Sequence, residues 1–134
     1  PMSKKQIYKE QNEAFLAELR REEGIVALPC GVLCRPVKRG EGTSCPTAQS
    51  VVTVHYEGRL INGRVFDESR SRGCPEAFRL NQLIVGWQVA LQQMHVGDRW
   101  TIYIPAAAGY GSRASGPIPA HSTLIFDIEL LGIA

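Results

Sequence analysis

Leu83-Ile84-Val85-Gly86-Trp87 places large apolar groups and a glycine at a turn that leads into a short amphipathic segment, Gln88 to Met94. The glycine lets two stretches of backbone approach closely, and the indole offers a wide, flat apolar surface. Taken alone, an apolar run ending in Trp is a core segment more often than a ligand platform. Three other stretches shift that balance, because each sets aromatic or aliphatic residues beside a turn or loop: Val54-His55-Tyr56-Glu57-Gly58, Val65-Phe66-Asp67, and the long segment 105–121. With Trp87 as a floor they have the makings of a concave, mostly apolar site carrying a few polar groups, the usual form of a small binding site.

Upstream of the floor, Val51 to Leu60 is β-branched and aromatic with alternation, and reads as a strand. Asn62-Gly63 supplies the pair of a tight type I′ hairpin turn, and Arg64 to Asp67 is the returning strand. Ser69 to Pro75, polar with Gly73 inside it, reads as a bulge or loop before a strand near Ala77 to Leu80. Downstream, Val96-Gly97-Asp98 turns the chain into the strand Trp100-Thr101-Ile102-Tyr103-Ile104, closed by Pro105. Thr123 to Leu131 alternates again, with Leu124, Phe126, Ile128 and Leu130 on one face. Between them, Ala106 to Ser122 is a long Gly- and Pro-containing loop, and loops of that length in compact domains are usually functional or disordered. The expected fold class is α+β, a twisted antiparallel sheet with a short α-helix against it.

The chain opens on a second helix. Ser3-Lys4-Lys5-Gln6 fits a capping box, Gly24 fits a C-terminal stop, and neither Pro nor Gly interrupts residues 4–23. Ile7, Tyr8, Phe15, Leu16 and Leu19 form a partial apolar stripe on it. An isolated helix of this length is marginal in water, so the stripe packs either on its own domain or on a partner helix in a homodimer. From Gly24 to Gly42 the texture changes to Pro and Gly, which predicts a linker and then an edge strand near Val32 to Val37, where Pro is tolerated. The expected division is an N-terminal helix (1–24), a linker and edge strand (25–42) and a globular body (43–134).

At 134 residues and 44% hydrophobic content the chain builds one domain with a real core. A formal charge of +2, spread along the sequence, lacks the dense basic stripe that nucleic acid demands. No apolar run approaches a membrane span, and the charged first residues do not read as an export signal, so the expected location is cytoplasmic, with no membrane partner. Cys30, Cys34, Cys45 and Cys74 do not match zinc spacings, and His55, His95 and His121 are scattered singly, which predicts free thiols in a reducing compartment and no metal.

Most catalytic kits are missing. There is no Gly-x-Ser-x-Gly elbow, and Gly40-Glu41-Gly42 and Gly109-Tyr110-Gly111 are turns without the Lys and Ser or Thr of a phosphate loop. Asp67 reads as a buried acceptor at the pocket or as half of an ion pair with a nearby arginine. Tyr110 reads as a hydroxyl aimed at a ligand carbonyl or as an anchor of its loop.

Taken together, Val54-His55-Tyr56-Glu57-Gly58, Gly63-x-x-Phe66-Asp67-x-Ser69, Leu83-Ile84-Val85-Gly86-Trp87, Met94-x-Val96-Gly97, Gly109-Tyr110-Gly111 and Ile118-Pro119-x-His121 through Leu131 resemble, in order, the FKBP-type peptidyl-prolyl cis/trans isomerases. The N-terminal helix and Leu28-Pro29-x-Gly31 resemble the bacterial FklB/Mip-like branch. The resemblance implies a sheet wrapped around a short helix with the ligand between them. It implies that Tyr56, Phe66, Phe78, Trp87 and Phe126 line the pocket with Leu83 and Ile118, and that Asp67, the Ile84 backbone N–H and the Tyr110 hydroxyl supply hydrogen bonds. It also implies rotation about X-Pro bonds in proline-containing polypeptides as the activity, a role in protein folding, no cofactor, and binding of macrolides such as tacrolimus and rapamycin. The alternative is a non-catalytic chaperone module that holds proline segments in the same pocket. Ala106-Ala107-Ala108 and Ala120 depart from the family pattern in the loop over the pocket, and bear on substrate preference.

Overall fold

In a computed structural model that describes residues 1–134, the chain forms two helices, α1 (Lys4–Leu19) and α2 (Val85–Leu91), and seven strands: β1 (Val26–Ala27), β2 (Leu33–Lys38), β3 (Val51–Arg59), β4 (Val65–Glu68), β5 (Glu76–Arg79), β6 (Arg99–Ile104) and β7 (Leu124–Ile133). The strands make one antiparallel sheet in the order β1-β2-β6-β7-β3-β4, with β5 also paired to β3. The α+β expectation holds. No helix is long and apolar enough to cross a membrane.

Strand alternation decides what each face of the sheet carries. On β7, Leu124, Phe126, Ile128 and Leu130 join Ile102 and Ile104 of β6 and Cys34 of β2 in a core of 19 buried residues that encloses Trp87, Ala90 and Leu91 of α2. The residues between them, Ile125, Tyr103 and Leu33, belong to a second cluster of five, completed by Leu16 and Leu19 of α1. So α2 and α1 pack against the two alternating residue sets of one sheet. The apolar stripe of α1 is therefore spent largely on its own domain, while Ile7 stays exposed.

Five expectations need correcting. α1 ends at Leu19 rather than near residue 23, because the chain must turn back into β1; Arg35 fastens that turn, donating to Glu23 O at 3.1 Å and pairing with Glu22 at 2.6 Å. Of the capping box only the Ser3 half forms, its hydroxyl accepting from Gln6 N. Residues 25–42 are more than a linker: the expected strand forms as β2, paired with β6 along its length and with β1 at Leu33 and Cys34 only, and the following turn is pinned by Gly40 N donating to Asp98 at 2.7 Å and Gly42 N to Val96 O at 3.1 Å. The hairpin between β3 and β4 is not a two-residue type I′ turn. Leu60 N bonds Arg64 O and Gly63 N bonds Leu60 O, closing a three-residue loop in which only Gly63 takes a positive φ, +88°.

The fifth concerns Gly86. It is not a hinge ahead of the helix but lies in the first turn of α2, which begins at Val85. What requires glycine is proximity: a Cβ there would sit 2.5 Å from the Ile104 side chain. Close approach of α2 to β6 is thus what glycine permits at this position, and it seats Trp87 at 4% exposure in the core.

Candidate active site

The cavity between α2 and the concave side of the sheet has a volume of about 510 Å³. Strand β3 brings Tyr56, β4 brings Phe66 and Asp67, β5 brings Phe78, and β7 brings Phe126. Leu83 and Ile84 reach it from the entry to α2, and Tyr110 and Ile118 from the long loop. Every residue the sequence nominated for the pocket therefore lines this one cavity.

The rings are arranged edge to face around the indole. Tyr56 stands 5.4 Å from Trp87 at 80°, Phe78 5.8 Å at 85°, and Phe126 5.2 Å at 82°, centroid to centroid. Phe66 packs in turn on Phe126 at 5.6 Å and 89°. Such T-shaped contacts are the favoured geometry for aromatic pairs and lock each ring against its neighbours. Gly58 of β3 makes room for them, since a Cβ there would lie 2.6 Å from both Phe126 and Phe66.

One wall is polar. The Tyr56 hydroxyl donates to Asp67 Oδ2 at 2.5 Å, and Arg72 donates to Asp67 Oδ1 at 3.2 Å and to the Tyr56 oxygen at 3.1 Å. Arg72 also holds Glu76 at 3.1 Å. Both readings of Asp67 are thus realised at once: it faces the cavity, and it is half of an ion pair. Burial, reinforced by the bond to Asp67, pushes the Tyr56 phenol up to about 12. Its hydrogen bonds to Tyr56 and then Asp67 raise the Arg72 guanidinium further above its ordinary value. Near neutral pH this wall therefore carries Tyr56 as a neutral phenol and Arg72 as a guanidinium cation. Behind it, buried Ser69 accepts the Tyr56 N–H at 2.8 Å and bonds His55 Nδ1 at 2.8 Å, which fixes β3 at this point.

Two polar groups at the rim are unspent. The Ile84 N–H, at the N-cap of α2, has no acceptor within the chain, and the Tyr110 hydroxyl, on a residue 42% exposed, has no partner either. Gln88 Nε2 donates to Leu83 O at 2.7 Å and so sets the peptide that carries the Ile84 N–H. The cavity offers an apolar, aromatic floor with two free donors at its edge; none of the three histidines and none of the four cysteines lines it.

Sequence reasoning missed Arg72, Gln82, Ser115, Gly116 and Pro117. Arg72 was one of several arginines after Asp67, and only the short 3₁₀ turn Arg70–Arg72 brings it back over the Tyr56 ring. Residues 115–117 sit in a small turn closed by the Ser115–Ile118 bridge, which no periodicity announces. The four thiols are free; Cys34 lies in the core, where burial pushes it up to about 11.

The model of the FKBP-type peptidyl-prolyl cis-trans isomerase family matches residues 42–131. The macrophage infectivity potentiator of Trypanosoma cruzi is 43% identical over 120 residues, covering 89% of this chain and 61% of that protein. The FKBP-type 22 kDa peptidyl-prolyl cis-trans isomerase of Escherichia coli is 43% identical over 120 residues, again 89% of this chain and 58% of its own length. The chain thus spans roughly three fifths of these curated relatives. Among solved structures, a peptidyl-prolyl cis-trans isomerase from Pseudomonas syringae superposes with a TM-score of 0.90 at 32% identity, over 100% of this chain and 98% of that one. An aromatic cleft under a wrapped sheet, the matching family model and these relatives agree: the chain belongs to the FKBP-type peptidyl-prolyl cis-trans isomerase family.

Proposed function

We propose that the cleft catalyses rotation about X-Pro peptide bonds in polypeptides and so assists their folding, with no cofactor or metal. The observation that carries this reading is the box of edge-on rings around Trp87 combined with free donors at its rim. A peptide bond is planar through resonance, and rotation crosses a barrier of roughly 18–20 kcal/mol at a twisted state in which that resonance is lost. The twisted amide is less polar than the planar one, so water stabilises the planar form preferentially. Rings replace that water here, and every ~1.4 kcal/mol of preference for the twisted form is a tenfold gain in rate.

The Ile84 N–H and the Tyr110 hydroxyl hold substrate carbonyls, and proline rests on Trp87. Tyr56, Asp67 and Arg72 brace one another and exchange no proton with the substrate. Phe66, Phe78, Phe126, Leu83 and Ile118 exclude water. Macrolides such as tacrolimus and rapamycin are proposed to occupy the same cleft. The free thiols support a cytoplasmic, reducing location, checked by fractionation, and the exposed Ile7 end of α1 supports a homodimer, which a monomeric mass by light scattering would end.

The test is the cis-to-trans rate of Leu-Pro and Phe-Pro peptides with the chain added, beside Asp67→Ala and a tacrolimus-treated sample. The expected result is acceleration that the macrolide blocks and the substitution weakens. A rate equal to buffer with the macrolide still bound would make the cleft a holding site for proline segments.

A further inference from the structure

The loop that roofs the cleft has two sides. Tyr110, Pro117 and Ile118 face the aromatic cavity. Gly111, His121 and Thr123 face a second cavity of about 370 Å³, whose other wall is Asn12 and Leu16 of α1.

The bonds that join α1 to this loop are polar. Asn12 is 2% exposed, its Oδ1 accepts the Thr123 N–H at 2.7 Å, and its Nδ2 donates to Tyr8 O at 2.8 Å. One turn earlier on the same helix face, the Tyr8 hydroxyl meets Ser122 Oγ at 2.8 Å, and Ser122 Oγ donates to Pro119 O at 2.8 Å. Immediately before these two attachments His121 holds a left-handed φ of +64°, a conformation that non-glycine residues keep only where the surroundings enforce it. The His121 N–H closes on Gly111 O at 2.8 Å, so the attachment reaches the residue next to Tyr110.

The burial of Leu16 and Leu19 is favourable but non-directional; a buried amide paired to one backbone N–H adds a directional bond that only one register satisfies. We propose that Asn12 and Tyr8 are positioning residues for the cleft: through them α1 fixes loop 117–123 and thereby sets where Ile118 and Pro117 stand over the bound proline segment. This rests on the cleft being the isomerase site. The helix is then part of how the cleft selects substrate, although none of its residues lines the cavity.

The test uses the full chain. Asn12→Leu removes both Asn12 bonds and leaves the Thr123 N–H unpaired, Asn12→Asp keeps the accepting oxygen, and Tyr8→Phe deletes one hydroxyl while keeping the ring. Amide exchange is followed at Ile118, whose N–H bonds Ser115 O at 2.9 Å, and at core residues of β7 as a reference. KM and kcat are measured on Leu-Pro and Phe-Pro peptides.

Asn12→Leu is expected to speed exchange at Ile118 relative to β7 by about tenfold, the scale of one lost buried hydrogen bond. KM is expected to rise several-fold with less change in kcat, and to different extents for the two peptides. Asn12→Asp keeps the Thr123 bond but sets an oxygen against Tyr8 O where Nδ2 donated, so it restores only part of both, and Tyr8→Phe gives a smaller shift in the same direction as Asn12→Leu. If Asn12→Leu does not fold, Tyr8→Phe alone decides. Exchange at Ile118 that moves no more than exchange in β7, with KM unchanged, would overturn the proposal and reduce α1 to a buttress. Wild-type chain that leaves peptide rates at the buffer value refutes the isomerase reading instead, and the Ile118 exchange comparison still decides the role of the clasp.

Discussion

The aromatic cleft and the seam beneath α1 are built on one sheet, from alternating residues of the same strands, and they end in opposite conditions. In the cleft, Trp87, Phe126 and Phe78 pack edge to face, and the Ile84 N–H and Tyr110 hydroxyl stand without partners in the chain. In the seam, Asn12, Tyr8, Ser122 and Thr123 satisfy one another, and no buried side-chain nitrogen or oxygen in the molecule lacks a partner. Donors at an open rim are left free to bond a guest, whereas paired ones fix a junction. The contrast separates the face built for a guest from the face built for the chain itself.

The comparison breaks hardest at Trp87. Trp87→Ala empties the middle of the larger cluster and is expected to lower the unfolding free energy by about 3–5 kcal/mol, read by denaturant titration, and to abolish peptide turnover. On the seam, Leu16→Ala is expected to cost about 2 kcal/mol, at the low end for a buried leucine because the smaller cluster can collapse around the gap, while turnover persists. Gly58→Ala drives a methyl into Phe126 and Phe66; a loss of about 1–3 kcal/mol is expected, with turnover falling by more than stability, because the rings that move are the cleft wall. If Leu16→Ala removed turnover as completely as Trp87→Ala, the two faces would not be separable in this way.

A smaller effect sharpens the account through pH. The buried Cys34 thiol is raised from 9.0 to about 11, so the unfolded chain loses this proton first. The resulting stability is fully present below pH 9.0 and is lost as pH rises toward about 11. Tyr56, raised from 10.0 to about 12, extends the decline in the same direction. Thermal melts of the wild type and Cys34→Ala across this range check the assignment: the variant starts lower and falls less steeply over the Cys34 window.

The strands and the cleft were legible in the sequence because alternation and block order are local signals. Leu124, Phe126, Ile128 and Leu130 announce a buried face by spacing alone, and the motif blocks carry the ring positions. What stayed hidden depends on distant partners. Nothing in Leu33 to Lys38 reveals that β6 runs along it while β1 covers only Leu33 and Cys34; Pro36, beyond the end of β1, lies where β2 is an edge, as its Pro signalled. Nothing near Asp67 distinguishes Arg72 from Arg70, which pairs instead with Glu129 at 3.1 Å. Asn12 looked like an ordinary polar position on a helix, and its burial follows only from the 111-residue reach to Thr123.

The most direct test of the central claim is kcat/KM for a Leu-Pro peptide followed between about pH 6 and 9, the range that spans the ordinary histidine and cysteine titrations. A cleft that works by replacing water with rings predicts a rate well above buffer and flat across the range, since Tyr56 stays protonated and no histidine lines the cavity. A bell-shaped profile would contradict the account by showing that a titrating group takes part in the rotation step.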